Sequence, residues 1–103
     1  MDGVKAYIIA NLQIHDADRY REYEKGFFPI LKKYEGEFIT FDDNIVHLEG
    51  DKPMKGRIVL LSFPSTQHAE DWYTSEDYQA LSEHRRASVT TTITKVNGMP
   101  PRD

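Results

Sequence analysis

Six side chains interrupt apolar segments of this sequence with groups that could bind or act on a small molecule. An asparagine amide could hydrogen-bond a ligand, a histidine could be a general base, an arginine could pair with a carboxylate, and a tryptophan could form an aromatic wall. The candidate ligand-binding residues are Asn11, His47, Arg57, Ser62, Trp72 and His84. We expect Asn11, His47 and Ser62 to line one cavity with Trp72 or His84. No residue is assigned a catalytic role.

Each candidate also has a structural explanation. Trp72 could be a helix-to-sheet core residue, because aromatic side chains at helical spacing are usually buried. His47 could be a neutral histidine satisfied by a hydrogen bond. His84 and Arg85 fall on a last helical turn, where the helix dipole favours cations, and Arg57 could form a surface ion pair.

Composition and motifs exclude several function classes. The net charge is -4 and no basic face is evident, so a nucleic-acid partner is not expected. There are no cysteines, and the four histidines show no short-range pair at ligand spacing, so neither a metal nor a cofactor is predicted. No apolar run approaches the roughly 18 residues of a membrane span. The N-terminal residues lack the positively charged segment followed by an apolar stretch that is typical of a secretory signal peptide. We therefore expect a cytoplasmic protein.

Alternating and β-branched segments predict the strands. Val4, Ala6, Ile8 and Ala10 share one face of the first segment, while Tyr7 and Ile9 share the other. An Asp43-Asn44 turn separates the second and third segments. Strands are predicted at 4–14, 37–42, 45–49, 57–63 and 89–96.

Two helical regions alternate with the strands. The first begins after Asp16, a suitable N-cap, and ends near Gly36, with a kink or break expected at Pro29. The second is expected in two pieces, capped by Ser65 and Ser75. Trp72 and Tyr73 are predicted to point inward from the first piece.

The order β-α-β-β-β-α-β, with the middle strands forming a hairpin, predicts an α+β ferredoxin-like fold. In this β-α-β-β-α-β sandwich, two helices, the second one broken, cover one face of an antiparallel sheet. The strands are apolar on both faces, and two helices on one side cannot cover both. A second copy of the chain would bury the other apolar face, and two-fold dimers are the commonest oligomers. The sequence therefore predicts a homodimer.

Several segments together resemble a known family. They are "AYIIANLQI", "YREY", "KYEGEF", "LEG", "RIVLLSFPS" and "WYTSEDYQAL", and their order and spacing span nearly the whole chain. In this combination the sequence resembles domain of unknown function 1330, within the dimeric α/β-barrel superfamily. The resemblance implies a ferredoxin-like protomer whose sheet pairs with that of a second copy.

The superfamily implied by the resemblance contains several activities. It includes cofactor-independent monooxygenases, haem-degrading monooxygenases, isomerases and ligand-sensing domains, so the fold alone does not select a function. Haem-degrading members use an asparagine, a tryptophan and a histidine on comparable elements, and Asn11, Trp72 and His84 are the matching residues here.

These observations lead to one prediction of architecture and three alternatives for function. We expect a single domain over 1–97 with a C-terminal tail at 98–103. The first alternative is a small-molecule-binding protein or cofactor-free enzyme whose ligand is small and apolar or aromatic. The second is a monooxygenase acting on an aromatic or haem-like substrate. The third is a non-catalytic structural or partner-binding module.

Overall fold

Four strands form one antiparallel sheet in the order β2-β3-β1-β4. The structure is a computed structural model that describes residues 4–100. Residues 1–3 of the predicted domain and 101–103 of the predicted tail lie outside the described part. The strands are β1 (Ala6–Ile14), β2 (Glu37–Asp42), β3 (Arg57–Phe63) and β4 (Val89–Asn97).

Three helices pack on one face of this sheet. They are α1 (Ala17–Lys33), α2 (Thr66–Thr74) and α3 (Glu76–Ser88). The predicted caps are confirmed: the side chains of Asp16, Ser65 and Ser75 accept hydrogen bonds from the backbone N–H groups three residues later. The architecture is the predicted α+β ferredoxin-like fold, with the second helical region broken at Ser75.

Helix α1 continues through Pro29, where the sequence predicted a kink or break. A proline removes one hydrogen bond to the carbonyl four residues back. Here the helix is held on both sides of that position by the buried side chains of Tyr23, Phe27 and Leu31. Tertiary packing therefore outweighs the local preference.

The predicted strand at 45–49 is wrong. Residues 43–56 form a loop between β2 and β3. Val46 and Leu48 in this loop are 78% and 90% exposed and pair with no strand in the described chain. β-branched and apolar residues favour a strand only where a cross-strand neighbour and a buried face are available.

The two faces of the sheet differ in what covers them. On the helix side, Ala10 of β1 pairs with Val59 of β3, and both are buried. On the other side, Ile9 pairs with Leu60 and both are half-buried, with no other element of the described chain packed over them. The core of the protomer therefore lies between the sheet and the helices.

Candidate functional site

A partly open cavity of about 180 Å³ lies between the sheet and the helices. Its floor is formed by the helix-facing side chains of β1 and β3, including Ile8, Ala10 and Val59. Its remaining surface is mainly aromatic, because the inward stripes of the helices and the helix-facing residues of β2 are rich in tyrosine and phenylalanine. These aromatic residues include Tyr20, Tyr23, Phe27, Phe38, Trp72 and Tyr78.

Arg57 lies where the cavity opens to solvent. Its Nε and Nη2 donate to the two carboxylate oxygens of Asp43 at 2.7 and 3.1 Å, and its Nη1 lies 3.5 Å from Glu24. Its guanidinium also lies 4.8 Å from the ring centre of Phe41, which is 51% exposed. The hydrogen bonds from Arg57 lower the pKa of Asp43. Arg57 is therefore a fully charged residue paired at the mouth of the cavity.

A pair of tyrosines spans the buried interior. The hydroxyl oxygens of Tyr23 and Tyr78 lie 2.6 Å apart. Burial raises the pKa of Tyr23 well above the usual 10.0, and the neighbouring Tyr78 adds to this shift. Burial also raises the pKa of Tyr20 to about 12, against the opposing effect of Arg57. Tyr20 and Tyr23 are therefore neutral hydrogen-bonding groups at physiological pH.

Arg85 lines the same cavity and is only 5% exposed. Its Nε has no hydrogen-bond partner, and it forms no ion pair with any carboxylate among residues 4–100. Its guanidinium lies 5.8 Å from the ring centre of Tyr23. The indole Nε1 of Trp72, which also lines the cavity, is likewise buried without a partner. The site thus contains two buried nitrogen donors with no acceptor.

Sequence reasoning assigned Arg85 to the helix dipole and did not include it in the site. The sequence spacing could have indicated its position, because Tyr78, Ser82 and Arg85 follow one another at helical intervals of four and three residues. All three are buried on one face of α3. A charged residue on the apolar stripe of a helix indicates a buried, functional position more strongly than one at a helix end.

Two of the six predicted site residues line the cavity, namely Arg57 and Trp72. Trp72 is 1% exposed, so the predicted burial is confirmed, and it forms both core and cavity lining. By contrast Tyr73, which was also expected to point inward, is 40% exposed. Whether Arg57 or Trp72 binds a ligand stays a prediction.

The structure does not bring Asn11, His47 and Ser62 into the cavity between the sheet and the helices, and a cavity shared by them in a dimer stays a prediction. Asn11 and Ser62 lie on the sheet face opposite the helices, because successive side chains of a strand alternate between faces. The Asn11 amide instead donates to the backbone carbonyls of Lys55 and Arg57 at 2.7 and 3.2 Å. His47 lies in the exposed loop, where its Nε2 is 2.7 Å from the carbonyl oxygen of Gly50.

His84 also lies outside the cavity. It is on α3, and its Nδ1 accepts a hydrogen bond of 2.8 Å from Nε of Arg19. Asn11 and Trp72 are on opposite sides of the sheet, so the asparagine, tryptophan and histidine implied by the haem-degrading relatives do not come together in this chain.

Residues 4–100 contain no group of three or more side chains placed to hold a metal ion. None of the helices in that range has the length and apolar character needed to cross a bilayer. The cytoplasmic location stays a prediction.

The model of the family described as domain of unknown function (DUF1330) matches residues 5–99. The chain belongs to this family. The family resemblance inferred from the sequence is thereby confirmed. No functionally curated protein matches the sequence.

Solved structures share the fold at low sequence identity. A protein of unknown function from Rhodopseudomonas palustris has a TM-score of 0.77 and 14% identity, over 96% of this chain and 85% of that one. SnoaB, a cofactor-independent oxygenase from Streptomyces nogalater, has a TM-score of 0.55 and 10% identity, over 100% of this chain and 96% of that one. A dimeric ferredoxin-like protein of unknown function from Thermobifida fusca has a TM-score of 0.57 and 11% identity. The match covers 94% of this chain and 92% of that one.

Proposed function

We propose that this DUF1330 protein binds a small apolar or aromatic molecule in the cavity between its sheet and its helices. The observation that carries the proposal is the cavity itself, about 180 Å³ in volume and lined mainly by aromatic rings. Protein interiors are normally close-packed, and aromatic surface left uncovered in a partly open cavity is unfavourable in water. Ligand binding gives a reason for a small domain to retain it.

The size of the cavity suits a single ring. A dry cavity of roughly 150 Å³ is large enough to bind benzene, so 180 Å³ accommodates one ring with a small substituent. Trp72 and Tyr78, whose ring centres are 4.2 Å apart, present aromatic surface to such a ligand. The cavity is therefore suited to a flat, single-ring molecule.

The proposed assembly is a homodimer formed through the sheet face opposite the helices. Tyr7, Ile9, Ile58 and Leu60 lie on this face. An extended apolar surface of this kind is unusual on a monomer, and two-fold dimers are the commonest oligomers. A shared fold with the dimeric Thermobifida fusca protein supports the proposal.

A cofactor-free oxygenase acting on an aromatic substrate is the second candidate. It is favoured by the aromatic cavity together with the fold shared with SnoaB, which is a cofactor-independent oxygenase. A haem-like substrate is not favoured, because Asn11 and His84 lie outside the cavity. The third alternative, a module with no small ligand, is the outcome expected if the binding experiment fails.

Trp72 is the only tryptophan of the chain and lines the cavity, so its fluorescence reports on binding there. We expect neutral single-ring compounds such as benzyl alcohol and benzamide to change this fluorescence saturably and to raise the melting temperature. Ala10→Leu fills the cavity floor and should abolish both effects. Ala80→Leu makes the same change at an exposed position of α3 and should preserve them. If no single-ring compound produces a saturable response, the proposed function is wrong.

A further inference from the structure

We propose that the ligand is a single-ring aromatic acid and that its carboxylate pairs with Arg85. This inference rests on the proposed function and adds the chemical class of the ligand. The aromatic body would lie against Trp72 and Tyr78, with the carboxylate at the buried guanidinium. Among the described residues no carboxylate lies within ion-pair distance of Arg85, and Glu24, a carboxylate that lines the cavity, is paired with Arg57 instead.

The two arginines of the cavity provide an internal comparison. Arg57 and Arg85 each lie near a tyrosine ring, at 5.9 Å from the centre of Tyr20 and 5.8 Å from that of Tyr23. The two tyrosine rings stack at 5.4 Å. Arg57, at the mouth, has carboxylate partners, whereas Arg85 is more deeply buried and has none among residues 4–100. The deeper of two similar cations is thus the one without a counter-charge.

A buried cation without a partner is costly. The effective penalty for removing one ion from water is several kcal/mol, and attraction to an opposite charge offsets it only when the geometry is good. The contact with Tyr23 offsets only part of this cost. An arginine guanidinium presents a planar fork of N–H donors that matches a carboxylate. A ligand carboxylate would therefore complete the site.

The other polar groups of the cavity interior favour the same kind of ligand. The Nε1 of Trp72 is a donor without an acceptor. Tyr23 and Tyr78 have two hydroxyl hydrogens between them, and their mutual hydrogen bond uses one. The remaining hydrogen has no acceptor among the side-chain contacts of the described chain. Two nitrogen donors of this interior, Arg85 Nε and Trp72 Nε1, thus lack acceptors among the described residues, which matches a ligand that carries acceptor oxygens.

Arg85 also borders a second, mainly polar depression that it shares with Arg86 and Thr91. A simple inorganic anion or acetate could reach the guanidinium from that side without entering the aromatic cavity. The experiment must therefore show that the ring and the carboxylate are both required.

The first measurement compares ligands on the unaltered protein by calorimetry. Benzoate and benzamide have nearly the same shape and size, and only benzoate is charged. We expect benzoate to bind about 10- to 100-fold more tightly, as hydrogen bonds to charged groups imply. Acetate should bind at least about tenfold more weakly than benzoate. Equal affinity of benzoate and benzamide, or of benzoate and acetate, would overturn the inference.

The second measurement uses a matched pair of variants. Arg85→Met should weaken benzoate binding by about 10- to 100-fold and leave benzamide within about threefold. Arg86→Met removes the adjacent arginine, which is exposed and hydrogen-bonded to Gln79, and should leave both affinities unchanged. Arg85→Lys retains the charge without the planar fork and should retain an intermediate preference for benzoate. If Arg85→Met binds benzoate as tightly as the unaltered protein, the inference is wrong.

Stability separates a binding role from a structural one. Without ligand, Arg85→Met should melt at the same or a higher temperature, because an uncompensated buried charge is removed. A lower melting temperature together with an unchanged benzoate-to-benzamide ratio would assign Arg85 to structure and overturn the inference. If Arg85→Met does not fold, Arg85→Lys and the ligand comparison decide the question. Benzamide binding without a preference for benzoate would leave the proposed function intact, whereas absence of binding by both would contradict it.

Discussion

The hydroxyl oxygens of Tyr23 and Tyr78 lie 2.6 Å apart and join α1 to α3 inside the aromatic cavity. Their side chains are 5% and 1% exposed, and their rings meet edge to face at 6.2 Å. The residues are 55 positions apart in the sequence, so the contact exists only in the folded chain. A buried hydrogen bond of this kind contributes to stability and fixes the relative position of the two helices.

Removing one hydroxyl of this pair should destabilise the protein. Tyr23→Phe and Tyr78→Phe should each lower the free energy of unfolding by about 1 to 2 kcal/mol, because the remaining hydroxyl is buried with one partner fewer. The double variant should lose less than the sum, with a coupling of about 0.5 to 1.5 kcal/mol. Urea unfolding measures all three. Tyr73→Phe, at a 40% exposed position, is the control and should change stability little.

Stability should also fall at alkaline pH because of the buried tyrosines. Burial raises the folded-state pKa of Tyr20 to about 12, so the folded protein keeps a proton that the unfolded chain releases near pH 10. The stabilisation is complete below about pH 10 and is lost as pH rises towards 12. Urea unfolding between about pH 9 and 11 should show this decline. Tyr20→Phe should make it shallower, and an equal slope in that variant would contradict the assignment.

The fold could be predicted from the sequence because its elements are specified locally. Asp16, Ser65 and Ser75 are cap residues recognisable by type and position, and the strand patterns have a clear period of two. The strand predicted at 45–49 and a break at Pro29 were wrong because tertiary context decides at both places. Val46 and Leu48 have strand-forming composition and no strand to pair with, and Pro29 lies in a helix that packing holds together.

The candidate site was less predictable because it depends on which faces meet. Asn11 and Ser62 were chosen as polar interruptions of apolar strands, and both fall on the face away from the helices. The hydrogen bond between Tyr23 and Tyr78 was also not predicted, because the two residues lie far apart in the sequence. Arg85 was overlooked because a position near a helix C-terminus already explained a cation. Only the three-dimensional arrangement shows that Arg85 is buried and has no carboxylate partner in the described part of the chain.

Ser75 should be important for stability because it serves two helices. Its hydroxyl accepts from the backbone N–H of Tyr78 at 3.2 Å and donates to the carbonyl of Trp72 at 2.8 Å. Ser75→Ala loses both hydrogen bonds and should cost about 1 to 2 kcal/mol in urea unfolding. Ser75→Asp restores the cap acceptor and should recover part of that loss. A change below about 0.3 kcal/mol in Ser75→Ala would show that the cap is not needed.

The proposed dimer makes a prediction about the sheet face opposite the helices. Leu60 and Ile9 pair with each other at the centre of that face and are half-buried in the isolated chain. Leu60→Lys and Ile9→Lys would place a charge in the centre of the proposed interface, where an unpaired charge is costly. Light scattering should give twice the mass of one chain for the unaltered protein and the mass of one chain for either variant.

Ala80→Lys is the matched control for the dimer experiment, because it introduces the same charge on the exposed surface of α3. It should remain a dimer. Circular dichroism should show that the Leu60→Lys and Ile9→Lys monomers keep their helices, since neither side chain faces the helix layer. A monomer in the unaltered protein at micromolar concentration would reject the dimer. A dimer that persists in both variants would instead place the interface on another surface, and the exposed loop at 43–56 would then be the next surface to test.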